Sequence, residues 1–275
     1  MTKHVEVMDL VASLKAAEQA FVLATVVRTV SVTAAKAGAK AIIRPDGTIV
    51  AGWIGGGCAR GAVLKAAREA LADGEPRMVS VLPENLLAEL GVKPGENRDG
   101  VRFAQNLCPS KGTMDIFVEP VLPHPALVIF GASPVALSLA AQARTLGYHV
   151  TIAAPAADRT ATPEADLLID GYGLGQLGEA RRFTVVSTQG KGDEAALRAA
   201  VATDASYHAF VGSRRKMAAL RDKLITEGID PAAIDRVKAP AGLDLGAITP
   251  EEIAMSILAE ITLERRRGQR GTGNG

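Results

Sequence analysis

Residues 126–154, ALVIFGASPVALSLAAQARTLGYHVTIAA, carry the pattern that identifies the fold of the carboxyl half of this chain. A short apolar run of the buried-strand type leads into a turn at Gly131, a helix expected over residues 134–146, and a second strand. Two further strand–helix pairs follow within residues 183–228. Because strands that are joined by helices run parallel, the pattern predicts a doubly wound parallel sheet in an α/β fold.

The amino half carries a different pattern, a mixed α+β arrangement in which strands outnumber helices. The predicted elements are a helix over residues 6–19, a strand over 21–30, two strands within 39–53 around the Pro45-Asp46-Gly47 turn, a helix over 58–74, and strands over 77–82, 100–108 and 112–120. Pro120, Pro123 and Pro125 then mark a linker, because repeated prolines resist both helix and central strand. We therefore expect a first domain over residues 1–121, a second over 122–267, and a flexible tail over 268–275.

The composition excludes several classes of protein. Of the 275 residues, 48% are hydrophobic, and 31 basic against 30 acidic residues leave a net charge of +1, which gives no reason to expect a nucleic-acid or membrane-surface partner. Two cysteines do not make a disulfide framework. No signal peptide and no apolar run of the roughly 20 residues needed to cross a bilayer is visible. We expect a cytoplasmic protein.

The first segment with chemical character is Gly55-Gly56-Gly57-Cys58, where a strand runs into three glycines and a helix begins. Glycines let the backbone approach a ligand closely, and the helix N-terminus adds a positive potential that suits phosphate or another anion. The same potential favours the thiolate form of a cysteine in the first turn. The alternative interpretation is a tight strand-to-helix turn with a buried cysteine.

The second such segment holds Cys108, at the predicted end of a strand and beside a turn that carries Lys111. Two cysteines 50 positions apart do not form a zinc signature, which needs four closely spaced ligands. A pair of soft thiolates would instead suit a sulfur-rich or copper-containing species, so Cys58 and Cys108 are the candidate metal ligands. The alternative for Cys108 is a core residue.

The turn at Gly131 occupies the place of a dinucleotide-binding turn, but two of its expected features are missing. Ser133 stands where the fingerprint has glycine, and the second strand ends at Ala154 without the carboxylate that would hold a ribose. These changes argue against an ordinary NAD(P) site. Gly131 and Ser133 therefore remain candidates for a degenerate or differently used nucleotide site.

A fourth segment, Gly212-Ser213-Arg214, ends a predicted strand and begins a cationic helix. Ser213 is a suitable N-cap, and cations beside a helix N-terminus indicate either an anion site or a solvated helix start. The loop over residues 239–246 is apolar and glycine-rich. We expect it to pack at the carboxyl ends of the strands, where doubly wound folds bind ligands.

Taken in order, these segments resemble the XdhC/CoxI family of xanthine dehydrogenase and carbon monoxide dehydrogenase accessory factors. The resemblance covers nearly the whole chain. It rests on GAKAIIRPDGTIVAGWIGGGCARGAV (38–63), CPSKGTMDIFVEP (108–120), LVIFGASPVALSLAAQARTLGYHV (127–150), YHAFVGSRRKMAALRDKLITEGID (207–230) and APAGLDLGAITPEEIAMSILAEI (239–261).

The resemblance implies a Rossmann-like second domain and a cofactor chaperone rather than a turnover enzyme. Such a protein binds molybdenum cofactor, as molybdopterin or its cytosine dinucleotide, assists its sulfuration, and delivers it to the large subunit of a molybdenum hydroxylase. A cysteine desulfurase, a cofactor nucleotidyltransferase and a second copy of the chain are the further implied partners. Cys58 and Cys108 would contact the metal or its sulfur, and glycines 55–57 and the Gly212–Arg214 turn would hold the phosphate or nucleotide portion.

Two other functions stay open at this point. The carboxyl half suggests a nicotinamide-dependent oxidoreductase, and the cysteine pair suggests a copper- or sulfur-handling thiol protein in copper–molybdenum site assembly. The sequence shows no general acid/base constellation, which favours the chaperone.

Overall fold

The computed structural model divides into two units between Pro123 and His124. It describes residues 6–109, 111–159, 163–175 and 180–266, so the predicted tail over residues 268–275 lies outside the described residues. Within these described ranges, no helix is both long enough and apolar enough to span a membrane.

The first unit is built on a seven-stranded mixed sheet. Its helices are α1 (Val7–Ala16), α2 (Gly57–Asp73) and α3 (Glu84–Leu90), and its strands are β1 (Phe21–Val30), β2 (Lys40–Ile43), β3 (Ile49–Gly52), β4 (Arg77–Leu82), β5 (Asn97–Arg98), β6 (Val101–Gln105) and β7 (Thr113–Val121). The strand order is β3-β2-β1-β7-β4-β6-β5. Neighbours are antiparallel except β4 and β6, which run parallel. The predicted mixed α+β class is confirmed.

Helix α2 packs on the centre of this sheet because its sequence places small apolar residues on one face. Val63, Ala66 and Ala70 follow the helical spacing and are fully buried. They form one hydrophobic cluster with Val79 of β4 and Ile116 of β7. This packing fixes the N-terminus of α2 at one end of the sheet.

In the first unit, helix α1 ends at Ala16 rather than at residue 19, and the carboxyl ends of two strands also differ from the sequence prediction. Strand β7 runs through Pro120 to Val121, and β4 pairs with it only as far as Val118. Pro120 therefore lies where the strand has a single partner, which is the context in which a sheet tolerates proline. Strand β6 ends at Gln105 rather than 108, so the predicted strand-end position of Cys108 is wrong and the residue lies in the following turn.

The second unit is the predicted doubly wound parallel sheet. Its elements are β8 (Ala126–Phe130), α4 (Pro134–Thr145), β9 (His149–Ala154), a 3-10 turn (Ala156–Asp158), β10 (Leu167–Asp170), β11 (Arg182–Val186), α5 (Asp193–Ala202), β12 (Tyr207–Phe210), α6 (Arg214–Thr226), α7 (Pro231–Ile234), β13 (Val237–Lys238) and α8 (Pro250–Arg266). All neighbouring strands are parallel in the order β10-β9-β8-β11-β12-β13. The order reverses between β8 and β11, as in Rossmann folds.

Helices cover both faces of this sheet. The core on one face includes Leu139 of α4 and Ile257 of α8, and the core on the other includes Leu197 of α5 and Leu224 of α6. Helix α8 begins with a reciprocal cap in which Glu252 N–H donates to Thr249 Oγ1 at 3.3 Å and Thr249 N–H donates to Glu252 Oε2 at 3.0 Å. The capping box proposed from sequence is confirmed.

Candidate functional site

A cavity of about 220 Å³ in the first unit brings together two of the segments singled out from the sequence. We call it the α2 cavity. It is lined by Thr33, Ala34, Gly56, Gly57, Ala59, Val81, Asn106, Leu107, Cys108, Gly112 and Met114. The triple-glycine turn and the cysteine-bearing turn therefore share one cavity, although they are distant in sequence.

The N-terminus of α2 forms one wall of this cavity. Gly56 is the N-cap, no side chain caps the helix among the described residues, and the first turn contains no acidic residue. A Cβ atom added at Gly56 or Gly57 would meet nothing within 4 Å. The first-turn amides are thus left to a ligand, and the helix dipole adds positive potential there.

Gly55 has a different role from its two neighbours. Its φ of +109° favours glycine, and an added Cβ would lie 3.0 Å from Met114 Cε. It is not among the residues that line the cavity. Gly55 therefore shapes the turn, while Gly56 and Gly57 face open space.

Cys108 also lines the cavity, and its turn is held by the side chain of Asn106. Asn106 Oδ1 accepts a 2.9 Å hydrogen bond from Cys108 N–H, and Asn106 Nδ2 donates at 2.6 Å to the carbonyl of Gly112. Cys108 is exposed, so its alternative interpretation as a core residue is not supported. Asn106 has a positioning role that sequence reasoning missed. Its one sequence signal is an amide residue two positions before the cysteine in a turn.

The second cysteine is described only in part. Cys58 is the second residue of α2, which places its backbone in the first turn, while its side chain lies outside the described part of the chain. The described residues contain no group of three or more His, Cys, Asp or Glu side chains that could hold a metal ion.

None of the described residues that line the α2 cavity is charged. The positive potential at the cavity therefore comes from the N-terminus of α2. Val81, Met114 and Ala59 contribute buried apolar wall. This combination suits an anion that carries an apolar or sulfur-rich portion.

A second cavity, of about 210 Å³, lies beside the Gly131 turn of the second unit and is called the α4 cavity here. Ser133 Oγ accepts a hydrogen bond from Ala136 N–H at 3.1 Å and lies 2.6 Å from Ser187 Oγ. Ser133 is therefore the N-cap of α4, which is why this position differs from the glycine of a dinucleotide fingerprint. Gly131 has φ +117°, and a Cβ there would lie 2.2 Å from the Ser187 carbonyl oxygen.

The α4 cavity also holds a carboxylate that sequence reasoning missed. Strand β9 ends at Ala154 without an acid, as the sequence indicated, but Asp158 of the following 3-10 turn lines the cavity with Tyr172 and Lys191. The Tyr172 hydroxyl donates to the Lys191 carbonyl at 3.0 Å. Asp158 reaches the cavity because the 3-10 turn over Ala156–Asp158 follows directly after β9.

The third cavity, of about 670 Å³, is lined by Gly212, Ser213 and Arg214 together with residues of the 238–247 segment, and is called the α6 cavity. The loop over residues 239–246 therefore lies at the carboxyl end of β12, as expected from the sequence. Ser213 Oγ accepts from Lys216 N–H at 3.2 Å, so Ser213 is the N-cap of α6. Arg214 is exposed at the cavity wall.

Buried Glu260 fixes the loop of the α6 cavity. Its carboxylate accepts a 2.9 Å hydrogen bond from Gly242 N–H, accepts from the Tyr207 hydroxyl, and pairs with the Lys238 ammonium. Burial raises the pKa of Tyr207, so the phenol stays protonated and remains a donor. These contacts hold the loop over residues 239–246 in a defined position within the second unit.

Comparison with protein-family models gives two matches in this chain. Residues 14–81 match the model described as the XdhC and CoxI family, and residues 127–261 match the XdhC Rossmann domain. The two matches cover the α2 N-terminus in the first unit and the α4 and α6 cavities in the second.

Two curated relatives are similar to the chain. One is the uncharacterized protein YqeB of Escherichia coli (strain K12), 29% identical over 231 residues, which are 81% of this chain and 40% of that protein. The other is named as a probable subunit of xanthine dehydrogenase in Bacillus subtilis (strain 168) and is 32% identical over 163 residues, which are 56% of this chain and 47% of that protein. The matched region spans less than half the length of either relative.

One solved structure is also similar. The crystal structure of a xanthine dehydrogenase from Bacillus halodurans aligns over 97% of this chain and 98% of that chain, with a TM-score of 0.45 and 19% sequence identity.

Proposed function

This chain belongs to the XdhC and CoxI family, and on that premise we propose that it is an accessory protein of a molybdenum hydroxylase such as xanthine dehydrogenase. Its cargo is molybdenum cofactor, as molybdopterin or its cytosine dinucleotide. The cargo binds at the α2 cavity, and the chain assists its sulfuration and its insertion into the apo-enzyme.

One observation carries this proposal: Gly56 and Gly57 line the same cavity as Cys108. An uncapped helix N-terminus supplies donors and positive potential for an anion, which the terminal phosphate of the cofactor provides. Cys108, which lines the same cavity, supplies a soft sulfur, and Cys58 is the second candidate by its position in the first turn of α2. The residue types present therefore fit the two ends of the proposed cargo.

Molybdenum in this cofactor is already held by the sulfur atoms of the pterin. A carrier therefore needs to shield the metal and contact its sulfur, and it does not need to complete a coordination sphere. Sulfur would come from a cysteine desulfurase, and the large subunit of the hydroxylase would receive the product.

The deciding experiment is analysis of the bound ligand. The chain is coexpressed with cofactor biosynthesis and purified without oxygen. Molybdenum and copper are measured by elemental analysis, and the extracted ligand is identified by mass spectrometry. We expect molybdopterin or its dinucleotide in the wild type and a clear loss in Cys58→Ser and Cys108→Ser. Wild-type protein that never retains a molybdopterin would overturn the proposal. Copper without molybdenum would instead support the thiol-protein alternative.

The oxidoreductase alternative concerns the α4 cavity. Ser133 Oγ already caps the helix there, and strand β9 ends at Ala154 without an acid. These features support the accessory role over a nicotinamide site. Titration with NADH and NADPH separates the two, because saturable binding at micromolar concentrations would favour the oxidoreductase.

A further inference from the structure

The exposed side of helix α2 carries only positive charge. Arg60, Lys65 and Arg68 are all exposed, whereas the other side of the helix is buried against the sheet. We call these three residues the α2 basic face. At a rise of about 1.5 Å per residue, the first and last of them lie roughly 12 Å apart along the helix axis. Within the ranges that the structure describes, no carboxylate pairs with any of the three.

The acidic residues of the same helix are engaged by arginines of the sheet. Glu69 accepts a hydrogen bond from Arg102 of β6 and lies 3.5 Å from Nε of Arg77 of β4. Asp73 accepts from Nη1 of Arg77 at 3.0 Å. Glu69 is also the residue four positions after Lys65, where an ion pair along the helix would form. Its contacts with the sheet therefore leave Lys65 without a partner on the helix.

Two of the exposed cations also repel each other. Lys65 and Arg68 are three positions apart, and like charges at this spacing weaken a helix. Small residues accompany them, since a Cβ added at Gly57 or Gly61 would meet nothing within 4 Å. Another backbone can therefore approach α2 closely, and carboxylates on it would relieve the repulsion between the two cations.

We propose that the α2 basic face binds an acidic surface of the protein that exchanges cofactor with the α2 cavity. This inference rests on the proposed function for the identity of that protein, the large subunit of the molybdenum hydroxylase. It adds the place at which the subunit binds and the charge of the surface that it presents. Gly57 begins α2 and also lines the cavity, so a protein bound along this helix lies next to the cargo.

Charge favours an acidic protein over two other partners. A second copy of the chain bound through the same face would bring the cations of both copies together, and their repulsion opposes such a symmetric pair. A nucleic acid is held by many phosphate contacts over a broad cationic surface, whereas this chain has a net charge of only +1. A protein that presents a few carboxylates matches the small number of cations on α2.

The test measures binding of the full chain to the cofactor-free large subunit of the xanthine dehydrogenase of the same organism, by surface plasmon resonance at low and high salt. Lys65→Glu combined with Arg68→Glu reverses the charge of the face. Arg44→Glu combined with Lys93→Glu is the matched control, with the same charge change at exposed residues outside α2.

We expect the α2 variant to bind at least about tenfold more weakly at low salt, mainly through slower association, and to lose most of the salt dependence. The control should bind nearly as tightly as the wild type. Both variants should retain molybdenum on coexpression, because none of the four residues lines the α2 cavity. That retention also shows that the variants fold.

Equal binding of the subunit by the α2 variant and the wild type would overturn the inference. The inference also fails if the wild type never binds the subunit, and molybdenum retained by the wild type would then leave the carrier role intact. If the wild type binds the subunit through this face but never retains molybdenum, the carrier role fails and the docking surface stands. If the charge reversal instead turns a dimer into a monomer in light scattering, or abolishes binding of a DNA or RNA duplex, the face serves another partner and the inference is wrong.

Discussion

The backbone N–H of Cys108 donates a 2.9 Å hydrogen bond to Oδ1 of Asn106, so a side chain two residues earlier holds the thiol-bearing turn in place. The other end of the same amide donates to Gly112 at 2.6 Å and closes the turn. Gly112 packs closely against the backbone of Val32, because a Cβ at Gly112 would lie 2.3 Å from the Val32 carbonyl oxygen. The backbone of the turn that carries Cys108 is therefore held at the cavity by the Asn106 amide and by the close packing of Gly112.

Replacing Asn106 with alanine should release this turn. We expect a loss of about 1–2 kcal/mol in the free energy of unfolding, since two hydrogen bonds are removed at a half-buried site. Retention of molybdenum on coexpression should fall more strongly than stability does. Urea unfolding and elemental analysis measure the two effects. Asn97→Ala, on the exposed strand β5, is the matched control, and equal molybdenum content in both variants would contradict the positioning role.

A methyl group added at Gly57, which lines the α2 cavity, should prevent binding of the cofactor without destabilising the fold. Gly57→Ala and Gly61→Ala both lie in α2 and meet open space, but only Gly57 lines the cavity. Each change should be neutral or stabilising by up to about 1 kcal/mol, because alanine favours the helix. We expect Gly57→Ala to lose bound cofactor and Gly61→Ala to retain it. If both variants lose the bound cofactor, or if neither does, Gly57 does not lie at the cofactor site.

Position 131 requires glycine for two reasons: its φ is positive, and a Cβ would clash with the backbone of Ser187. We expect Gly131→Ala to cost about 2–5 kcal/mol, because the Cβ would overlap the Ser187 carbonyl oxygen and φ is +117°. Gly171→Ala is the comparison, since φ is +80° there but no atom lies within 4 Å. That change should cost only about 1–2 kcal/mol. Thermal or urea unfolding of both variants gives the clash contribution as their difference, and equal costs would argue against close packing of the turn on Ser187.

The loop of the α6 cavity should depend on Glu260. Glu260→Ala leaves Tyr207 and Gly242 without their acceptor, and we expect a loss of about 2–4 kcal/mol. Tyr207→Phe removes one donor while the carboxylate keeps Gly242 and Lys238, so it should cost about 1 kcal/mol. Limited proteolysis within residues 239–247 should become faster in Glu260→Ala. Unchanged proteolysis would show that other contacts hold the loop.

Acidification should destabilise the second unit through His208. This side chain is 3% exposed, its Nδ1 lies 2.8 Å from Thr184 Oγ1, and Nε2 has no hydrogen-bond partner among the described residues. Burial, aided by Arg236 and opposed by Asp204, lowers the pKa of His208 below its usual 6.5.

The sign of the pH effect follows from that shift. Below about pH 6.5 the unfolded chain binds a proton that the folded chain resists, so stability falls as the pH decreases toward the folded pKa. The slope from this one group is at most about 1.4 kcal/mol per pH unit. Urea unfolding at pH 7.5 and 5.5 should show a smaller difference for His208→Asn than for wild type. An identical difference would assign the acid sensitivity to other groups.

Local features of the chain were predictable because they depend on neighbours in sequence. The apolar run before Gly131 and the helix after it sufficed for the parallel second unit. Thr249 and Glu252 sufficed for the start of α8. Strand β10 was missed because Leu167 and Leu168 are 42% and 39% exposed on an edge strand, so no buried pattern marks it. Pro120 suggested a linker, and only the pairing limit of β4 explains its place in β7.

From the sequence alone, the fold class of each half, the glycine turn before α2 and the family of the chain could be predicted, since each is encoded in residues close together along the chain. Tertiary contacts were needed to show that Cys108 lies in a turn held by Asn106, that this turn shares a cavity with Gly56 and Gly57, and that Asp158 lines the cavity beside the Gly131 turn. These relationships depend on strand order and on where each strand stops. Both are settled by packing between distant segments, which no local pattern records.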